Sequence, residues 1–197
     1  MNLDAYDEFL AGIGETPNRL AAIYHAVRNI PYGSVGTRDP LVVMKQRSGS
    51  CSGKHVLLRN LLRRAGYEAG VVTMFTYFDS KLSTNPSFPA ELNDMIREGE
   101  VCDFHHFVRV GGEGGLELDA TWQDGLERYG FPVNSNWTGE TNTELASVPL
   151  ELFEPEEDLI ALKIRLVATL TPEQAQRRSR YFALLSAWIA STPGVHG

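Results

Sequence analysis

Ser48-Gly49-Ser50-Cys51-Ser52-Gly53-Lys54-His55, running on into Val56-Leu57-Leu58-Arg59-Asn60-Leu61-Leu62-Arg63-Arg64-Ala65-Gly66, decides how this chain is read. The small residues give way at Cys51 to helical periodicity, and the spacing predicts a helix over about 51–65. Leu57, Leu58, Leu61, Leu62 and Ala65 form its core face, and Gly66 is the natural residue just past its end. Arg59, Arg63 and Arg64 face away and complement the negative end of the helix. Cys51 therefore stands at a helix N-terminus. Unpaired N–H groups and the positive dipole end stabilise a thiolate there, and the thiolate is the nucleophilic form. The neighbouring glycines read as room for a substrate backbone to approach. The plainer alternative is a small buried hydrophobe, the usual fate of a lone cysteine.

A thiol nucleophile needs a base, and usually a group that orients the base. Two strands, Phe104–Val110 and Leu116–Thr121, joined by Gly111-Gly112-Glu113-Gly114-Gly115, predict a hairpin that offers both. Pairing His105 with Asp119 sets His106 opposite Leu118 and Val108 opposite Leu116, with the tip at Gly112. One face is then apolar apart from His106, and the other carries His105, Phe107, Arg109, Glu117, Asp119 and Thr121. A slip of one residue would set Val108 against Glu117 and mix the faces. On this register, without a bulge, His105 is the base, Asp119 is its orienter and His106 is a core histidine. The alternative is an exposed cross-strand His–Asp contact with no chemical role.

Outward from these segments, a first helix is expected over about 3–13, with Leu3, Tyr6, Phe9, Leu10 and Ile13 on one face. A second starts at Thr16 as N-cap with Pro17 behind it, and Pro31-Tyr32-Gly33 ends it. Residues 33–50 read as a loop with a short apolar turn at Leu41–Met44. A strand follows over about 68–78. An excursion at 79–100 contains a short helix around Ala90–Arg97. Residues 122–150 are irregular, and this loop and the 79–100 excursion are expected to shape the cleft. A strand is expected near Leu159–Leu166. Thr171-Pro172-Glu173-Gln174 then caps a last helix running to about Ala190, with Tyr181, Leu184, Leu185, Trp188 and Ile189 as its apolar stripe. Helices first and strands later make the fold class α+β.

The composition sets outer bounds. The 197 residues suit one domain of ordinary globular make-up, 43% hydrophobic and 22% charged, which is too apolar for a disordered chain. Two cysteines, Cys51 and Cys102, are too few for a disulfide framework or a four-thiolate metal site. A net charge of −7 argues against a nucleic-acid partner, which needs clustered cations. The start is acidic and broken by charges, so no secretory signal is expected, and no apolar run is long enough for a membrane span. Cytoplasmic localisation is the expectation, and the sequon at Asn136-Trp137-Thr138 reads as an unmodified loop.

Taken together, three segments resemble the transglutaminase-like superfamily of papain-like thiol enzymes. Gly49-Ser50-Cys51 with its leucine-rich helix resembles the family's G-x-C segment. His105-His106-Phe107-Val108-Arg109-Val110 is similar to its H-A-W-V-E-V strand, and Leu116-Glu117-Leu118-Asp119-Ala120-Thr121-Trp122 to its V-x-V-D-P-T-W strand. Ile30-Pro31-Tyr32 matches a short aromatic lead-in. Phe107 and Ala120 are mild departures, and Lys54 and His55 are unusual in the helix. The resemblance covers about residues 20–125 of a single domain spanning 1–197, with the C-terminal helix at about 171–190 as an extension.

What the resemblance implies is a papain-like, transglutaminase-like α+β core, with the nucleophile helix packed on an antiparallel sheet and further helices at both ends. By matching positions, Cys51 is the nucleophile, His105 the base and acid, and Asp119 the orienter. No cofactor or metal is implied. The partner is a peptide or amide substrate, attacked through a Cys51 thioester that water or an amine resolves. The Cys51 backbone N–H is the first oxyanion donor. Gln46 is a candidate for the second by analogy with papain-like enzymes, though its spacing is off. Three rival readings are an arylamine N-acetyltransferase-like enzyme using an acyl-CoA donor, a non-catalytic binding module on the same fold, and a metal site from Cys102, His105 and His106 with Asp103. Alternate strand positions point that last set to opposite faces.

Overall fold

The computed structural model describes residues 4–33, 37–153 and 155–195. Helices α1 (Ala5–Ile13), α2 (Arg19–Arg28), α3 (Pro40–Gln46) and α4 (Cys51–Arg64) lead into strand β1 (Ala69–Tyr77). Helix α5 (Ala90–Glu98), strands β2 (Cys102–Val110), β3 (Leu116–Leu118) and β4 (Glu151–Phe153), and helices α6 (Leu159–Val167) and α7 (Pro172–Ser191) follow. The four strands form one antiparallel sheet in the order β3-β2-β1-β4. The fold is α+β, with the cysteine helix packed on the sheet.

Helix α4 forms where its apolar spacing places it. Leu57, Leu58, Leu61 and Leu62 are fully buried against Ile23, Tyr24 and Val27 of α2, Val71 of β1, and Val108 and Val110 of β2. Each such leucine contributes about 1.5–3 kcal/mol of burial. Gly66, at φ 90°, stops the helix because a side chain is rarely tolerated in that conformation. Of the arginine row of α4, Arg63 and Arg64 are exposed as the pattern implied, and Arg59 is not. Arg59 is buried and donates to the Glu157 carbonyl, while Arg63 and Arg64 pair with Glu157 and Asp7.

The hairpin differs from the predicted register by two residues. Val108 pairs with Leu118 and Val110 with Leu116, and β3 ends before Asp119. The whole of Gly111–Gly115 forms the loop, with Gly111, Gly112 and Gly114 at positive φ. At Gly115 an added Cβ would lie 2.0 Å from the Val110 carbonyl oxygen, so the tight turn demands glycine. A slip of two leaves every side chain on its original face. Val108 and Val110 join the α4 core, whereas Phe107 packs with Val72 and Met74 on the opposite face.

Three local expectations fail for identifiable reasons. The helix expected from Thr16 begins at Arg19 and is capped by Asn18, whose side chain accepts from the Ala21 N–H. The apolar turn at Leu41–Met44 is a full helix, α3, capped by Asp39 with Pro40 in its first turn. The strand expected at Leu159–Leu166 is helix α6, because Asp158 caps it through the Ala161 N–H and Leu159 and Leu162 bury one turn apart. The predicted capping box of Thr171 and Gln174 is present at the start of α7. Leu3 of the expected first helix lies outside the described residues.

Candidate active site

Cys51 is the first residue of α4, and its N-cap, Ser50, makes no side-chain cap bond, so the first N–H groups of the helix are not occupied by a cap. A short parallel bridge between Tyr32 and Gly49 fixes the segment just before it, through Gly33 N–H to the Gly49 carbonyl and Gly49 N–H to the Pro31 carbonyl. Tyr32 is thereby held beside Cys51. The glycines around the cysteine serve packing, not substrate approach. A Cβ on Gly49 or Gly53 would lie 2.8 or 2.9 Å from the Val43 methyls of α3, so both closely accommodate that helix.

Strand β2 brings His105 to the sulfur. Its Nδ1 lies 3.1 Å from Cys51 Sγ, and its Nε2 lies 2.7 Å from Asp119 Oδ2. His105 and Asp119 meet across the strands although they are not directly opposite, because Asp119 lies one residue beyond the end of β3. The Asp119 carboxylate also accepts the Ala146 N–H, the Thr121 N–H and the Thr121 hydroxyl, and its own N–H donates to Thr143 Oγ1. Its backbone carbonyl accepts the Tyr24 hydroxyl. Burial alone would favour the neutral acid, yet the imidazoles of His105 and His55 hold it well below the usual carboxylate range.

The same balance sets the charge of the other two. Burial works against a thiolate at Cys51, but His105 and His55 outweigh it and lower the thiol from 9.0 to about 6. Burial likewise works against an imidazolium at His105, but Cys51 and Asp119 raise it to about 10. Between these values the proton belongs on His105 and the negative charge on sulfur, and the two titrate as a coupled pair.

His55 completes the cluster in a way its sequence position only hinted at. One turn along α4, its Nδ1 lies 2.9 Å from the Cys51 carbonyl and 3.6 Å from Sγ, while its Nε2 takes the Ala120 N–H at 2.9 Å. Burial opposes a charge on His55, and the negative charges of Cys51 and Asp119 favour one. On balance these charges raise its pKa, and because Nε2 accepts the Ala120 N–H, the neutral ring carries its proton on Nδ1. His106, by contrast, bonds Thr73 through Nδ1, and burial holds it neutral. Asp103 is taken by Lys163 and Arg178. His105, His106 and Asp103 of the rival metal set therefore have separate partners. Lys54 is buried too, and its Nζ ties the Arg28 carbonyl on α2 to the Thr121 carbonyl.

A cleft of about 350 Å³ opens beside Cys51. Its walls come from Tyr32, Arg38, Ser50 and Ser52, from Asp103 of β2, Lys163 of α6, and one face of α7. Neither the 79–100 excursion nor the 122–150 loop lines it. Their role is indirect: α5 braces α7 through Arg177 and Arg180, and the later loop supplies the Thr143 and Ala146 contacts to Asp119. Gln46, at the end of α3, is exposed and does not reach the cleft. Tyr32 does, and its hydroxyl has no hydrogen-bond partner among the described residues. Burial and the nearby Cys51 charge raise its pKa, so it is a neutral donor.

An antiparallel sheet crossed by a helix that presents Cys51 to a His105–Asp119 pair defines the papain-like class of α+β folds. The family model of the transglutaminase-like superfamily matches residues 6–116, more than half of the chain, and the protein belongs to that superfamily. The match includes Cys51 and His105 and stops three residues before Asp119. Among solved structures, the chain is similar to a protein from Cytophaga hutchinsonii described as a proposed cysteine protease, at 19% identity and a TM-score of 0.44. The similarity covers 78% of this chain and 44% of that one, so this chain spans less than half the length of its solved relative. A search of curated proteins finds no match.

Proposed function

We propose that the protein is a thiol-dependent acyl-transfer enzyme acting on an amide, with Cys51 as nucleophile, His105 as acid and base, and Asp119 as orienter. The observation that carries this reading is the unbroken line from Sγ to imidazole to carboxylate, 3.1 Å and then 2.7 Å, in a buried setting. The Cys51 thiolate attacks the amide carbon, a C–S bond forms, and the carbonyl electrons move onto oxygen. The Cys51 backbone N–H and the Tyr32 hydroxyl are the donors assigned to that oxyanion. As the tetrahedral intermediate collapses, the C–N bond breaks and the nitrogen leaves with the proton from His105 Nδ1. Water, or an amine, then gives a proton to His105 and attacks the thioester. The C–S bond breaks, and the thiolate and imidazolium are restored. Asp119 fixes the ring and favours its charged form throughout.

The test is to trap the thioester. Protein incubated at neutral pH with a panel of N-acyl amino acid amides and short peptides, then quenched in acid, should carry the acyl mass on the Cys51 peptide, and Cys51→Ser should not. Failure to find an adduct or released amine with any donor, together with a Cys51 that titrates as an ordinary thiol, overturns the reading.

A further inference from the structure

The cleft beside Cys51 is cationic in a chain whose net charge is −7. Arg38, Lys163 and Arg178 line it, against a single carboxylate, Asp103. Lys163 and Arg178 both bond one oxygen of that carboxylate. Lys163 Nζ donates to its Oδ1 at 3.0 Å and Arg178 Nε at 2.7 Å, and Lys163 also donates to the Phe104 carbonyl. The rest of the Arg178 guanidinium lies over the Phe182 ring, 5.0 Å from its centre, and neither Nη atom is hydrogen-bonded among the described residues. Arg38 makes no ion pair or hydrogen bond among the described residues. Its backbone packs on Gly53 of α4, 3.7 Å from where a Cβ would stand, which seats it within the first turn after Cys51. Several other arginines are closed off by acids, as Arg63 is by Glu157, Arg64 by Asp7 and Arg180 by Glu91.

We propose that this cleft selects an acyl donor bearing a carboxylate near the carbonyl under attack, held by the free edge of Arg178 and by Arg38. A guanidinium offers a planar pair of donors that matches a carboxylate, and low-dielectric walls focus the field of cations that outnumber the acids. At about 350 Å³ the cleft sits at the small end of ligand sites, the size of an acidic side chain with its amide, not of a large nucleotide carrier. Asp103 turns Arg178 so that its Nε faces inward and its Nη edge remains for the ligand. The inference rests on the thiol reading above and adds a substrate class to it.

Two alkylating agents of the same shape test it. The Cys51 rate constant with iodoacetate is divided by that with iodoacetamide, and the quotient is normalised to the same quotient for a small free thiol. The division cancels any change in the nucleophilicity of the sulfur. A value of about tenfold at low ionic strength is expected, falling with added salt and falling again in Arg38→Gln and Arg178→Gln. His105 is present in all forms, so the drop on substitution belongs to the arginines. Arg178→Gln also loses the Asp103 pair and can fail to fold. Arg38 has no such bond to lose, so Arg38→Gln and the salt titration then decide. In a second arm, N-acetylglutamic acid α-amide should protect Cys51 from iodoacetamide better than N-acetylglutamine α-amide. A quotient that ignores both variants and salt, or equal protection by the two amides, overturns the anion site. If iodoacetamide still reports a low-pH thiolate, the thiol reading survives that failure; if Cys51 is inert to both agents, both fall.

Discussion

Replacing His105 by alanine isolates what the imidazole supplies to the sulfur. In the native site the thiol is lowered from 9.0 to about 6, against the opposing effect of burial. At 1.36 kcal/mol per tenfold, the preference for thiolate is about 4 kcal/mol. His105→Ala removes the strongest favourable partner and leaves the burial, so Cys51 should titrate at or above its ordinary value. The thiolate fraction at pH 7 then falls from about nine-tenths to about one-hundredth. The alkylation rate falls by less, because a more basic thiolate is a better nucleophile. A Brønsted slope of about 0.45 returns roughly 20-fold of the loss, leaving a fall of only about fourfold at pH 7. The decisive quantity is therefore the midpoint of the pH profile, not the rate at one pH. Iodoacetamide labelling is read by mass spectrometry at Cys51, with Cys102 as internal reference, since burial pushes that thiol up. The expected midpoints are near 6 in the native protein and about 9 or higher in the variant. A native midpoint near 9, or a variant that keeps the native midpoint, refutes the ion-pair argument.

Four further tests address the surroundings of the pair. Acyl transfer should follow a bell in pH, rising through about 6 as Cys51 loses its proton and falling through about 10 as His105 loses its own, and a single sigmoid through neutrality would contradict the coupled pair. Tyr32→Phe should cut turnover of the best trapped donor by about 100-fold while leaving the alkylation midpoint in place, whereas full turnover would remove Tyr32 from the oxyanion site. Gly53→Ala drives a Cβ to 2.9 Å from Val43 and should cost about 1–3 kcal/mol in chemical denaturation, with Val43→Ala restoring much of it; additive losses would mean the two residues do not clash. Asp103 is opposed by burial but held well below the usual carboxylate range by Lys163 and Arg178, so its stabilising share is present above about pH 4 and lost as pH falls through the lowered value. Asp103→Asn should accordingly lower Tm at pH 7 and flatten its decline in acid, and an unchanged acid limb would assign that decline to other carboxylates.

Much of this architecture was written in local signals. Helix α4 follows from apolar spacing, and the start of α7 follows from a capping box that satisfies its own end groups. The choice of His105 over His106 follows from the two-residue period of a strand. The face assigned to His105 survived a register error because a shift of two changes partners without changing faces. Tertiary structure decided what those signals do not encode. Leu159–Val167 is a short apolar run whose periodicity fits a strand or a helix. Its state is set by its Asp158 cap and by packing Leu159 and Leu162 into the α4 core. His55 became a link between Cys51 and Ala120 only once a distant hairpin closed over α4. The charge of the cleft is the extreme case: Asp103 and Lys163 are 60 residues apart, and Arg178 and Arg38 reach the same space from opposite ends of the chain. Caps and periodicity are short-range interactions between neighbours in sequence. Which charges stay unpaired beside the sulfur depends on which surfaces meet, and only packing of the whole chain determines that.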